Sequence, residues 1–512
     1  MKTTPYGRKL IWILCIFIFV LFFLLINRIY LRIDLTEGRR FSISSATKQL
    51  LLELENPVRI TYYISPKLKE LYPQTRDIGD FLFAYAAESD LVSLYTVDPI
   101  SEGLEESLLN LGIAGRQIQS VEGGSTQFTT VYSALVIEYL GHISIIPFIL
   151  TAETLEYELD SRLMALVQQK TRPVLLMAAN ELSIEQDYSY VKPWLEAAGF
   201  SCQIISPTEF VSLQQQFDRA AILSTPLVVF GSHNLSEDQA QAIKLYAESG
   251  GSLVMMTSSI KADIYGTWQV EPVKQDFLIP ILKEWGISLG QELLADISCF
   301  RITLFSDEEN PTYESMNYPL WISTLPQYSS VNNITKKLNG MNFFWANPLT
   351  KTDSNSEILV YTSPAAWALM PDETHETAFV TNPFMVAQTA QQAGTVSSQY
   401  GLALQLQLPD DGGKIIVVSD QYFVSTMMLD YTGASTNLDF LVNSLLDITN
   451  ENLLLELRNK SQVSTILYKV DEATLLQKKA TVLIVTCIVL PLLPTLIALC
   501  IFFIKKIRKN RK

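Results

Sequence analysis

The sequence predicts an α/β protein: an ectodomain with a mostly parallel sheet, preceded by a smaller α/β domain and anchored by one transmembrane helix at each end. Three observations predict it. Long apolar runs bound the chain at 10–31 and 480–504. Strand, helix, strand order appears between 58 and 97, and between 172 and 260 short strands that are apolar throughout alternate with amphipathic helices, the pattern of a sheet covered on both faces.

The terminal runs set the expected placement. The run 480–504 carries no formal charge and is long enough for a helix that needs roughly 20 residues to cross a hydrocarbon core. Lys505, Lys506, Arg508, Lys509, Arg511 and Lys512 follow it directly, which puts the C-terminus in the cytoplasm. The run 10–31 is shorter, with Arg28 able to snorkel, and it has no small-residue cleavage site of a secretion signal. Two spans place both termini, 1–9 and 505–512, on the cytoplasmic side of a bacterial inner membrane. The body of the chain then lies outside, touching the lipid bilayer through its anchors.

Between the spans, Ser44 caps a helix whose face is Thr47, Leu50, Leu51 and Leu54. A strand at 58–64, a helix presenting Ile78, Phe81, Leu82 and Tyr85, and a strand at 91–97 follow. After a short helix near 104–109, a hairpin through Gly123 and Gly124 pairs 117–121 with 129–138 and closes the domain 32–150. A long helix at 153–168, in the linking segment 151–171, connects to the second domain.

The second domain, 172–450, has apolar strands at 174–178, 227–230 and 253–256, with another strand at 202–205. They make a Rossmann-like or flavodoxin-like sheet. Ser236 with Gln239 forms a capping box, and Gly250 and Gly251 stop that helix. From about 266 to 400 prolines and scattered tryptophans break the periodicity, so this stretch reads as an insertion, with a helix at 277–285, a strand at 357–362 and a loop at 386–402. A strand at 414–418 and a helix bearing Leu438, Leu441, Val442 and Leu445 close the sheet. Residues 451–479 return to the membrane, with a strand expected at 463–470.

Composition narrows the function. The formal net charge is −15, and all 53 acidic residues lie between 28 and 479. Such a surface excludes nucleic acid as a partner, because that needs a cationic footprint. Cys202 and Cys299 are two free thiols or one bridge, not a disulfide scaffold.

The chemistry-bearing motifs are sparse. There is no phosphate-binding loop, and Gly412-Gly413-Lys414 leads into a strand, not a helix. No zinc spacing surrounds His142, His233 or His375, and no Gly-x-Ser-x-Gly turn offers a nucleophile. No catalytic residue, metal or cofactor is therefore expected. The acidic run Asp307, Glu308 and Glu309 reads as solvated loop. One candidate ligand crevice remains, at the carboxyl ends of the strands where open sheets bind ligands: Asn180, Ser232, His233, Ser258 with Ser259, and Asp420. Loop capping explains the same residues without a ligand.

Several segments resemble the auxiliary component of ABC-type transport systems known from bacterial gliding motility. They are Asp34-Leu-Thr, Arg40-Phe-Ser-Ile-Ser-Ser-Ala-Thr-Lys-Gln-Leu-Leu, Pro57-Val-Arg-Ile-Thr-Tyr-Tyr, Val97-Asp-Pro, Gly-Gly-Ser-Leu-Val-Met at 250–255 and Gly-Gly-Lys-Ile-Ile-Val-Val-Ser-Asp at 412–420. The resemblance implies a non-catalytic, membrane-anchored binding or gating subunit working with a separate ATPase and a multi-span permease. It also implies a sheet related to glutamine-amidotransferase-like domains without their nucleophile. A surface enzyme acting on a cell-envelope sugar or peptide, and a structural envelope anchor, are the alternatives.

Overall fold

The computed structural model describes residues 42–122, 125–168, 172–214, 220–264, 266–305, 313–352, 355–371, 379–386, 397–433 and 435–461. They belong to one compact unit. The two apolar runs expected to span a membrane, the basic tail, the strand expected at 463–470, Gly123-Gly124, His375 and the acidic run at 307–309 lie outside the described residues.

Among the described residues no helix is long and apolar enough to cross a membrane. The longest, Leu155–Gln168, has 14 residues and carries Glu156, Glu158, Asp160 and Arg162 among its apolar positions. The expected anchoring at each end, the two-pass inner-membrane topology, the lipid contact and the extracytoplasmic placement of the body thus find no support. Those expectations rested on hydropathy and flanking charge alone. The fold class is corrected to an α/β fold with mixed sheets.

The smaller sheet is built around Val58–Ile64. That strand pairs in parallel with Val92–Val97 and antiparallel with Ser133–Tyr139, which pairs in turn with His142–Ile146. The helices Pro66–Leu71 and Thr75–Ala86 cross over between the parallel strands, and Ile78, Phe81, Leu82 and Tyr85 are buried as their spacing predicts. The hairpin is shorter than expected: Arg116–Glu122 pairs with Ser125–Val131, and Ser133–Tyr139 leaves it for the central sheet.

The larger sheet has nine strands. Phe200–Ile204, Arg172–Ala178, Leu227–Phe230, Leu253–Met256 and Lys414–Val418 run parallel in that spatial order. In chain order this is 2-1-3-4-5, the flavodoxin-like arrangement. Gly401–Gln407 adds antiparallel to Lys414–Val418, and Leu349–Lys351, Ser356–Tyr361 and Ile287–Leu289 extend that side antiparallel. The sheet is therefore mixed, where a mostly parallel one was expected. Residues 401–402, expected in a loop, begin this strand.

Side-chain alternation explains why the parallel strands are apolar throughout. Val228, Phe230, Val254, Met256, Ile416 and Val418 join the core that includes Leu438, Leu441 and Leu445 of the helix Thr436–Ile448. Their neighbours Leu227, Val229, Leu253, Met255, Ile415 and Val417 join a second core with Ala240 and Ile243 of Glu237–Glu248 and Leu278 and Leu282 of Leu278–Glu284. Each aliphatic side chain so buried contributes about 1.5–3 kcal/mol.

The glycine pairs quoted above meet each other. A Cβ on Gly413 would lie 1.8 Å from the carbonyl oxygen of Gly251, and Gly413 donates its N–H to the Ala247 carbonyl at 2.8 Å. Here glycine serves backbone contact.

The insertion forms a three-stranded antiparallel sheet, Cys299–Phe305, Tyr313–Ser323 and Asn342–Phe344. Its scattered aromatics converge: Trp321 stacks on Phe344 at 3.9 Å between ring centres, with Trp268, Trp345 and Tyr318 around it. Cys202 and Cys299 are free thiols, each pushed up to about 11 by burial.

Candidate functional site

The chain-order reversal in the parallel sheet falls between Arg172–Ala178 and Leu227–Phe230, and the loops that leave the carboxyl ends of these strands flank a crevice there. A pocket of about 460 Å³ opens at that point. The loop after the first strand supplies Asn180 and Glu181, and the loop after the second supplies His233 and Asn234. Glu181, Asn234 and Gly231 all have left-handed backbones, with φ of 72°, 61° and 73°. A side chain at Gly231 would also press within 2.8 Å of Leu182.

Hydrogen bonds lock the two loops together. The Asn180 side-chain amide donates to the Asn234 carbonyl at 2.6 Å and to Gln239 Oε1 at 2.9 Å. The Asn234 amide donates to Glu181 Oε2 at 2.7 Å. Because Gln239 also closes the capping box with Ser236, the pocket wall is tied to the start of the helix Glu237–Glu248.

The opposite wall comes from the ribbon Ile260–Ala262 and Val270–Pro272, which contributes Lys261, Asp263, Gln269 and Glu271. Gln421 and Tyr422, just after Lys414–Val418, complete it. The Tyr422 hydroxyl bonds the Ala262 backbone through its N–H at 3.0 Å and its carbonyl at 3.2 Å, so the ribbon is pinned to the sheet. Burial pushes the Tyr422 phenol up to about 12.

Of the six residues expected in the crevice, Asn180 and His233 line this pocket. The other four are buried behind it. The Ser232 hydroxyl lies between Thr257 and the Asp276 carboxylate. Ser258 donates to Asn347 Oδ1 at 2.8 Å, and the same oxygen accepts the Ser259 N–H at 2.9 Å. Asp420 is fully buried and accepts the backbone N–H of Phe344 at 2.7 Å and of Tyr422 at 2.6 Å. Burial pushes its pKa up to about 8, against the pull of those two donors.

His233 is 7% exposed, and its Nε2 lies 2.7 Å from the Ser258 carbonyl. A carbonyl only accepts, so Nε2 carries the proton, and Nδ1 of the neutral ring is an acceptor. Burial lowers the His233 pKa, with Lys261 acting the same way and the Ser258 carbonyl and Asp276 opposing. The imidazole nitrogen and the neighbouring serine hydroxyls are thus bonded to separate partners, and His233 pairs with no serine hydroxyl. Among the described residues no group of three or more His, Cys, Asp or Glu could hold a metal ion.

Sequence reasoning missed Glu181, Asp187, Lys261, Asp263, Gln269, Glu271, Gln421 and Tyr422. Position alone could have found Gln421 and Tyr422, since they follow the last parallel strand. The ribbon residues sit where periodicity fades and left no signal.

Fold and pocket together define a doubly wound α/β protein with a strand-end crevice. The chain belongs to the family described as an ABC-type uncharacterized transport system, whose profile matches residues 171–444, more than half of the chain. Within such systems the family is that of an auxiliary component. Residues 37–138 match a separate domain of unknown function. The chain is also similar to a protein of Borreliella burgdorferi (strain ATCC 35210 / DSM 4680 / CIP 102532 / B31) described as uncharacterized, with 22% identity over 499 residues, 94% of each chain. Among solved structures it is similar to a ThuA-like protein from Bacteroides uniformis ATCC 8492, with 12% identity, a TM-score of 0.29, and coverage of 54% of this chain and 91% of the other.

Proposed function

We propose that this chain is the ligand-binding auxiliary component of an ABC-type transport system and works with a separate ATPase and a multi-span permease. The observation that carries the reading is the match over 171–444, because that region builds the parallel sheet and most of its strand-end pocket. A second support is the chemistry of Gly412-Gly413-Lys414. Gly413 packs on the Gly251 backbone in a turn that feeds a strand, so this segment does not present helix-terminal amides to a phosphate, and in this reading the separate ATPase supplies the energy. In this reading Asn180 and His233 face the ligand, while Ser232, Ser258 and Asp420 hold the strand ends that shape the pocket.

The test is isolation of the tagged full chain from its native cells after mild cross-linking, with identification of what it carries. An ATPase and a polytopic permease recovered in fixed proportion is the expected result. Recovery of this chain alone, under conditions that keep a control ABC transporter assembled, overturns the proposal.

A further inference from the structure

We infer that the strand Val92–Val97 is a docking edge for an extended segment of another protein, one that carries lysine or arginine at both ends and uncharged residues between them. The inference uses none of the pocket's residues and stands without the transport reading. It concerns the region 37–138, to which that reading gives no task. Its first ground is the backbone. Val92–Val97 ends the small sheet and, among the described residues, pairs with Val58–Ile64 alone. Val58 is in register with Val92 and donates its N–H to the Leu91 carbonyl at 2.8 Å. In a parallel ladder the bonds run to alternate residues of the outer strand, so Ser93, Tyr95 and Val97 turn their backbone groups inward while Leu94 and Thr96 turn theirs out. Ser93, Tyr95 and Thr96 are exposed. Natural sheets blunt such an edge with a lysine, a proline, a bulge or a very short strand, and this strand of six residues in unbroken register has none of them. The opposite end strand, His142–Ile146, packs against Leu155–Gln168, and Ile287–Leu289, at one end of the large sheet, has only three residues.

The second ground is charge, and it selects the occupant. Asp90 and Asp98 stand just beyond the two ends of the strand. Asp98 accepts the Ile100 N–H, a neutral donor, at 3.2 Å, whereas Glu88 is already in an ion pair with Lys48 at 2.9 Å. The middle of the strand is different, because Arg59 lies over the Tyr95 ring, 4.6 Å from its centre, and a further cation there would meet repulsion. A second copy of the chain fits poorly. Antiparallel pairing about Leu94, which keeps 92–96 in register, sets Asp90 of each copy opposite Asp98 of the other, and like charges directly opposite destabilise a pair. A segment with basic ends meets both carboxylates, and main-chain bonds to Leu94 and Thr96 hold its middle.

The test is binding of the full chain to the capped peptide Lys-Thr-Val-Thr-Val-Thr-Val-Thr-Lys, long enough to reach from Asp90 to Asp98, against the same peptide with glutamate at both ends. Calorimetric titration measures affinity, and hydrogen exchange followed by mass spectrometry locates the contact. The lysine peptide is expected to bind about tenfold or more tightly than the glutamate peptide, and to slow exchange in 92–97 with 253–256 unchanged. Thr96→Pro removes an outward N–H and leaves the inner ladder intact, so it should weaken the peptide about tenfold with the unfolding midpoint unchanged. Asp90→Asn combined with Asp98→Asn should weaken it about threefold and abolish the preference for lysine, and this variant carries the test if Thr96→Pro fails to fold. Equal affinity of the parent chain for the two peptides overturns the charge assignment. Slowed exchange at Phe200–Ile204, an end strand without flanking acids, in place of 92–97 overturns the choice of edge. A dimer in sedimentation that Thr96→Pro dissolves overturns the foreign segment in favour of a second copy, and no binding of either peptide overturns the docking edge itself.

Discussion

Asp420 and His233 are both buried beside the crevice, and burial moves their pKa values in opposite directions. For Asp420 the folded value is pushed up to about 8 from an ordinary 3.8. Between those values the folded chain holds a proton that the unfolded chain has lost, so stability falls as pH rises through that window. For His233 the folded value lies below the ordinary 6.5. The unfolded chain then takes up a proton first, and stability falls as pH drops below 6.5. Asp420→Asn should therefore flatten the loss of urea resistance between pH 5 and pH 9, while His233→Gln should flatten the loss between pH 7 and pH 5. The facing groups for His233 are Asp276, Lys261 and the Ser258 carbonyl, and none of these changes in the variant. Curves for Asp420→Asn that fall with rising pH as steeply as those of the parent chain would remove Asp420 as the cause. A third change at this scale tests the glycine contact. Gly413→Ala puts a methyl group 1.8 Å from the Gly251 oxygen and should destabilise the chain by about 1–3 kcal/mol in equilibrium unfolding.

At the scale of elements, the helix Glu237–Glu248 carries the clearest local signal and joins the fold to the site. Its capping box is complete, with the Gln239 N–H donated to Ser236 Oγ and the Ser236 N–H donated to Gln239 Oε1. Gln239 also accepts from Asn180, so Ser236→Ala should cost about 1 kcal/mol of stability and loosen the first pocket wall. Faster amide exchange in 231–239, with 253–256 unchanged in native conditions, is the expected readout. This box was legible because its two residues are three apart and precede an apolar run. The parallel strands were legible for a similar reason, since both of their faces enter a core. The insertion was not. Trp268, Trp321 and Trp345 pack together from well-separated positions, and no local period records such contacts. The strand Gly401–Gln407 was a different kind of miss. Leu402, Leu404 and Leu406 alternate as a strand should, but the small and polar residues before them drew the loop boundary too far. Pocket residues were legible only where they follow a parallel strand. The ribbon wall was out of reach because it is placed by Tyr422, which lies 160 residues away in sequence.

The whole unit is closed by a helix that no sequence signal singled out, Asn452–Ser461. It packs against the N-terminal helix Ser45–Leu52, the long helix Leu155–Gln168 and the last sheet helix Thr436–Ile448. Leu454, Leu455 and Leu457 are buried in a core that also holds Leu50, Leu159 and Leu445. Arg458 pairs with Asp439 and lies over the Tyr157 ring at 5.5 Å. Nearby, the Thr47 hydroxyl lies within hydrogen-bond distance of the Glu156 and Asp160 carboxylates, and Asp160 accepts a bond from the Tyr85 hydroxyl. The two sheets therefore share one core, and opening one exposes apolar surface of the other. Leu455→Ala removes packing at the point where the pieces meet and should destabilise the unit by about 2–5 kcal/mol. In hydrogen exchange followed by mass spectrometry, the protection of Val58–Ile64 and of Leu253–Met256 should fall by the same factor, because both strands open through one cooperative event. If Val58–Ile64 loses protection while Leu253–Met256 keeps it, the small sheet opens by itself and the shared core does not couple them. Coupling of this kind would bear on transport, since a change at the strand-end pocket would then be felt by the part of the chain that begins at Ser45–Leu52.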